Sequence, residues 1–179
     1  MNADVFILPG LNNSGPEHWQ TKWETHFGFR RINQEDWDRP HCEDWIKRIQ
    51  ESLANYKDEN ILLAAHSLAC CTIVHWSNKF RRRIKGALLV GPSDVEAPGY
   101  PLGTTGFAPM PLDLIPFPTI VIASSNDEYV SLERATYFAG KWNSLLVNIG
   151  PSGHINSASA LGLWPEGIAW LEKLDRMEI

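Results

Sequence analysis

Ile61-Leu62-Leu63-Ala64-Ala65-His66-Ser67-Leu68-Ala69-Cys70-Cys71 is the stretch from which the fold is read. Its first five residues are apolar without alternation, which is the mark of a strand buried on both faces. From Leu68 to about Phe80 the pattern is helical, so a strand runs into Ser67 and a helix leaves it. The same alternation extends outward in both directions. Val5 to Leu8, a weaker Arg31 to Asn33, Ile84 to Val90, Thr119 to Ala123 and Leu145 to Val147 read as strands. Pro16 or Glu17 to Phe27, Glu43 to Tyr56, Leu132 to Trp142 and Pro165 to Leu174 read as helices. Strands alternating with helices predict an α/β three-layer sandwich, with about six parallel strands in spatial order 2-1-3-4-5-6 and helices on both faces. One domain is expected over residues 1–179.

A serine on a sharp strand-to-helix turn is the context of a nucleophile elbow, as in the α/β-hydrolase fold. Such a turn requires small residues two before and two after the serine. Glycine is usual there, and Ala65 and Ala69 take those places. The bland alternative is that Ser67 only caps the helix that follows it. In this fold the serine is followed in the chain by an acid and then a histidine. His154, in Gly150-Pro151-Ser152-Gly153-His154-Ile155-Asn156, is the one histidine beyond the late strands, and glycines let its loop reach across. Asp127 follows the strand Thr119 to Ala123 at the carboxyl end where such sheets bind ligands. It would hold His154 in the correct tautomer. Glu128 is its nearest rival, placed where it would face solvent or open the next helix, and a plain turn role is open to Asp127 itself. Ser67, Asp127 and His154 are thus the expected catalytic residues. The backbone N–H groups of Leu68, at the helix start, and Leu11, after Pro9-Gly10, are the expected oxyanion donors.

Composition removes other classes. A net charge of −5 and a pI near 5.6 disfavour nucleic-acid binding. No run of about 18 apolar residues predicts a membrane span. The start, Met1-Asn2-Ala3-Asp4, has neither a basic n-region nor an apolar h-region, so a cytoplasmic location is expected. Three cysteines, two of them adjacent, do not make a disulfide framework. Cys70 and Cys71 are expected to be structural. No metal motif is seen, and no cofactor is expected.

Asn12, Ser14, His18 and Trp19 lie near the expected active rim and are candidate substrate-binding residues. His66 is expected to point away and support the turn, and Trp37 and Arg39 to fix their loop. Residues 91–118 hold seven of the twelve prolines and read as one long loop, with Tyr100, Phe107 and Met110 as candidates for an apolar acyl pocket.

These segments together resemble the retinoblastoma-binding protein nine family of small serine hydrolases. The resemblance spans nearly the whole chain. It rests on Leu8-Pro9-Gly10, Gly15-Pro16-Glu17-His18-Trp19-Gln20, Gln34-Glu35-Asp36-Trp37-Asp38-Arg39-Pro40, Ala65-His66-Ser67-Leu68-Ala69, Ser124-Ser125-Asn126-Asp127, Gly153-His154-Ile155-Asn156 and Trp164-Pro165-Glu166-Gly167. It implies a compact hydrolase with a minimal cap, the triad Ser67, Asp127 and His154, no cofactor, and small carboxylic esters or amides as substrates. It does not define a protein partner: no Leu-x-Cys-x-Glu segment for retinoblastoma-type pockets occurs. The competing expectation is a catalytically silent binding module on the same fold.

Overall fold

A computed structural model describes residues 1–176. The elements are β1 (Asp4–Leu8), α1 (Trp19–Phe27), β2 (Arg30–Arg31), α2 (Cys42–Ser52), β3 (Ile61–His66), α3 (Leu68–Phe80), β4 (Gly86–Val90), β5 (Thr119–Ala123), α4 (Leu132–Trp142), β6 (Leu145–Asn148) and α5 (Pro165–Arg176). All strand pairings are parallel, in the order β2-β1-β3-β4-β5-β6. This is the α/β-hydrolase arrangement expected from the apolar runs.

Because side chains alternate along a strand, each central strand feeds two cores. Phe6, Leu8, Leu63, Ala65, Leu89 and Val121 face α2, α3 and α4. Val5, Ile7, Leu62, Ala64, Leu88 and Ile120 face α1 and α5. β3, β4 and β5 are buried at every position, which is why their sequences show no polar alternation. Five of the eight tryptophans, Trp19, Trp23, Trp45, Trp76 and Trp142, are fully buried in these cores.

β2 lies at Arg30–Arg31 and not Arg31 to Asn33, β4 starts at Gly86 and not Ile84, and two helix boundaries differ from expectation for visible reasons. α1 begins at Trp19, later than Pro16, because Gly15 to His18 forms a turn first (His18 N–H to Gly15 O, 3.0 Å). His18 then caps the helix, its Nδ1 accepting the Gln20 N–H at 3.2 Å. α2 stops at Ser52, where Leu53 caps it and residues 53–56 turn back (Tyr56 N–H to Leu53 O, 3.2 Å).

The long segment 91–118 is packed down on the sheet's helices. Phe107, Met110, Ile115 and Phe117 plug into the core over α2, α3 and α4. Trp142 Nε1 donates to Pro111 O at 2.9 Å and Cys42 N–H to Thr105 O at 2.9 Å, pinning the strap down. Phe107 and Met110 therefore do not form an acyl pocket; burial of their apolar surface has claimed them for the core.

α5 packs its N-terminal turn on Trp164, which packs against both Trp19 and Trp23 at ring distances of 5.1 and 5.9 Å. A Cβ on Gly167 would sit 2.3 Å from Trp164 Cε3. Glycine to alanine inside a helix ordinarily stabilises by about 1 kcal/mol. Here the sign is expected to reverse: Gly167→Ala should cost about 1–3 kcal/mol, as overpacking does. Urea unfolding of the two proteins checks this, and equal or higher stability of the variant contradicts the packing described.

Candidate active site

Ser67 occupies the junction of β3 and α3 with φ 56° and ψ −125°. Left-handed backbone at a residue with a Cβ costs roughly 1–2 kcal/mol, so the surroundings must impose it. They do so in three ways. The Ser67 N–H donates to Val90 O at 2.9 Å, locking the turn to the end of β4. Ala65 and Ala69 are buried and leave room for the reversal. The chain leaving β1 crosses directly over the turn: a Cβ on Gly10 would lie 2.8 Å from both Ser67 Cβ and His66 O, and 3.2 Å from Leu68 N. Only glycine permits that approach.

The turn lifts the Ser67 hydroxyl to the carboxyl rim of the sheet. Its Oγ lies 2.8 Å from His154 Nε2. His154 Nδ1 lies 2.9 Å from each carboxylate oxygen of Asp127. Since a carboxylate only accepts, Nδ1 carries the proton and Nε2 is free to accept from Ser67. Asp127 also receives the Tyr129 N–H at 2.8 Å, and its side chain is fully buried. The three residues singled out from the sequence are brought into one hydrogen-bonded chain; Glu128 is not part of it.

The histidine is carried by a braced loop. Ser124 Oγ accepts the Ser152 N–H (2.9 Å) and Asn126 Oδ1 accepts the Gly153 N–H (2.8 Å). Trp19 Nε1 donates to Ile155 O at 2.9 Å, and His66 Nε2 donates to His154 O at 2.8 Å. Gly91, at φ 54°, closes the far side, where a Cβ would be 3.3 Å from Asp127 Oδ2 and 3.5 Å from His154 Nδ1. Contrary to expectation His66 does not point away: it lines the cleft beside Ser67 and braces the loop of His154. Gly91, Ser124 and Asn126 had not been singled out for these roles. A glycine next to a proline at the end of a buried strand was the available signal for Gly91.

A cleft of about 380 Å³ opens over Ser67, lined by Leu11, Asn12, His18, His66, Tyr100 and Tyr129 among others. Among the described residues no Asp, Glu, Lys or Arg lines it. Two of the candidate substrate residues, Asn12 and His18, reach this cleft; two do not. Ser14 Oγ is committed to Gln20 Oε1 at 2.7 Å, and Trp19 is packed in the core with its indole N–H on Ile155. Both are fixing residues. Leu11 lines the cleft, and the Leu68 N–H is the first of α3, among those that have no partner within the helix.

Three imidazoles stand in a row. The His18 and His66 rings are 4.7 Å apart, and those of His66 and His154 4.8 Å. Burial above all, then the Arg31 and His154 charges, lowers His18 to about 3. Burial likewise holds His66 well below its ordinary range, with His18 and His154 adding to it. His18 Nδ1 is an acceptor, so Nε2 bears its proton, and that buried atom has no partner among the described residues. Burial pushes Cys42 up to about 12 and raises Cys70 and Cys71 above the usual thiol range, so none of the thiols competes as nucleophile. Among the described residues no group of three or more His, Cys, Asp or Glu is placed to hold a metal ion.

This is the constellation of a serine hydrolase on an α/β-hydrolase sheet. Residues 5–173 match the family model described as serine hydrolase, and the chain belongs to that family. A putative YdeN-like hydrolase from Pectobacterium atrosepticum is 29% identical, with a TM-score of 0.86 over 99% of this chain and 93% of that one. The ydeN gene product of Bacillus subtilis is similar in fold, with 21% identity and a TM-score of 0.81 over 96% and 98% of the two chains. The carboxylesterase CesB of B. subtilis shares the fold at 14% identity, with a TM-score of 0.64 over 97% of this chain and 84% of that one. No curated protein matches the chain. No helix among the described residues is long and apolar enough to cross a membrane.

The two buried neutral histidines set a pH dependence. Below about pH 6.5 the unfolded chain protonates them while the folded protein does not. The unfolded state then binds more protons, so stability is retained above that pH and lost as the pH falls toward 3, by up to about 1 kcal/mol per pH unit for each histidine. Thermal unfolding between pH 7 and 4.5 should show this slope, and His18→Gln and His66→Gln should each flatten it. A slope unchanged in both variants rules out this origin.

Proposed function

We propose that the protein hydrolyses small, uncharged carboxylic esters, and amides more slowly, through an acyl-enzyme on Ser67. The observation that carries the reading is the unbroken chain Ser67 Oγ–His154 Nε2 and His154 Nδ1–Asp127, at 2.8 and 2.9 Å, opening on an uncharged cleft. His154 takes the Ser67 proton as the oxygen lone pair attacks the substrate carbonyl carbon, and the carbonyl π pair moves to oxygen. The Leu11 and Leu68 N–H groups receive that oxyanion. Collapse expels the alcohol, which takes the proton from His154. Water, deprotonated by His154, then attacks the acyl carbon, and the C–O bond to Ser67 breaks. Asp127 holds the ring in the tautomer that both half-reactions need and stabilises the imidazolium.

The substrate class follows from the cleft. With no side chain of fixed charge along it, a charged acyl group would lose hydration without gaining a partner. Asn12 supplies a polar contact to a neutral substrate instead. The kinship to the retinoblastoma-binding protein nine family rests on the shared motifs and belongs to this reading.

A fluorophosphonate probe should label the wild-type protein and leave Ser67→Ala unlabelled. Turnover of p-nitrophenyl acetate should fall roughly 10⁴-fold or more in that variant, as when a nucleophile is removed. Short esters should turn over faster than long-chain or carboxylate-bearing ones. Labelling that persists in Ser67→Ala, or a wild type that takes no probe, defeats the proposal.

A further inference from the structure

The nucleophile oxygen has a second partner that the triad does not account for. Ser93 Oγ lies 2.9 Å from Ser67 Oγ, on the side away from substrate: Ser93 is fully buried and outside the cleft lining. Which hydroxyl donates follows from counting protons. Asp127 fixes the His154 proton on Nδ1, so Nε2 can only accept, and Ser67 spends its one hydrogen there. Tyr100, whose hydroxyl also bonds the Ser93 side chain, has its own hydrogen to give to Ser93 Oγ, so the contact with Ser67 is Ser93 O–H donating to a Ser67 lone pair.

Ser93 is not free to turn away. Pro92 precedes it, and its own carbonyl accepts the Cys71 thiol at 3.3 Å. The next residue, Asp94, donates its N–H to Tyr129 O at 2.9 Å and is clamped by Arg134 Nε at 2.8 Å. The donor is therefore held on the nucleophile by the same loop pair that holds Asp127.

We propose that Ser93 is a hydrogen-bond donor to the nucleophile oxygen that speeds release of the acyl group from Ser67 more than its formation. The inference rests on the acyl-enzyme reading above. In the resting enzyme Ser67 Oγ is a hydroxyl oxygen and already a good acceptor. In the acyl-enzyme it is an ester oxygen whose lone pair is delocalised into the carbonyl, and a poor one. When water adds to the acyl carbon, that delocalisation ends. As the tetrahedral intermediate collapses, the C–O bonding pair returns to Oγ, which takes a proton from His154. Through these steps Oγ regains negative charge, and the bond from Ser93 strengthens. Only an interaction stronger in the transition state than in the preceding ground state accelerates a step. For acylation the preceding state already has this bond; for deacylation it does not.

The test is p-nitrophenyl acetate hydrolysis by Ser93→Ala, with steady-state and burst kinetics and the rate of fluorophosphonate labelling. One neutral hydrogen bond corresponds to about a tenfold effect on rate, so kcat should fall about tenfold. KM should fall with it, and kcat/KM and the labelling rate, which report acylation, should stay within about twofold of wild type. The burst of p-nitrophenol should approach one equivalent as acyl-enzyme accumulates. Ser93→Cys, which keeps the side-chain volume but donates weakly, should fall between and gives the same split should the alanine variant fold poorly. A parallel loss of kcat and kcat/KM, a slowed labelling rate, or unchanged kinetics overturns the inference while the hydrolase reading stands. A wild type that neither labels nor turns over overturns both.

Discussion

Everything at the active rim depends on holding Ser67 in a left-handed backbone conformation where β3 turns into α3. That conformation is unfavourable for a residue with a side chain and persists only because its neighbours leave no alternative. The N–H of Ser67 is bound to the end of β4, and the chain leaving β1 lies against its Cβ at Gly10. The two strands flanking β3 in the sheet thus clamp the turn from both sides. The parallel sheet positions the chemistry directly: adjacent strand ends deliver the nucleophile, the loop that covers it and the loop that carries Ser93.

The segment His18-Trp19-Gln20 shows how much of a short motif can be scaffolding. Gln20 is wholly buried, and its amide donates to Leu8 O at 2.9 Å and Ala64 O at 3.0 Å, stapling the ends of β1 and β3 together. Trp19 reaches the loop of His154, and Trp23, one turn on, donates to Leu163 O at 2.7 Å ahead of α5. Buried polar groups that satisfy strand-end carbonyls fix geometry more than they add stability. A single short helix therefore sets the distance between the nucleophile turn and the histidine loop. The rows of apolar residues beneath it could tolerate more variation than these four polar contacts.

The sheet order was legible because strands buried on both faces leave uninterrupted apolar runs, as in Ile61 to Ala65 and Thr119 to Ala123, and because parallel strands must be joined by crossovers. Asp127 and His154 were legible because strand-end position and chain order restrict where an acid and a base can stand. Ser93 was not. A serine after Gly91-Pro92 in a proline-rich loop looks like any turn residue, and its direction is set by contacts with Cys71, Tyr129 and Arg134 that are distant in sequence. The same limit misplaced Ser14 and Trp19: proximity to the rim in sequence says nothing about which way a side chain faces. Phe107 and Met110 were misread for a related reason. An apolar residue in a long loop can line a pocket or fill a core, and only the volume left open by α2 and α3 decides between them.

The electrostatics of the rim bear on what kind of reaction it can support. His66, kept neutral by burial, stands beside the ring of His154, with the neutral His18 behind it, and of the three only His154 has a carboxylate partner. A cation formed on His154 during turnover is therefore stabilised from one side, by Asp127, and meets no competing fixed charge from the cleft side. Had His66 been charged, the two imidazolium ions would have stood less than 5 Å apart across low-dielectric protein and would have opposed the proton transfer. Neutrality of His66 thus favours His154 acting as a base. The same burial that costs the protein stability in acid keeps the proton of Ser67 with a single destination.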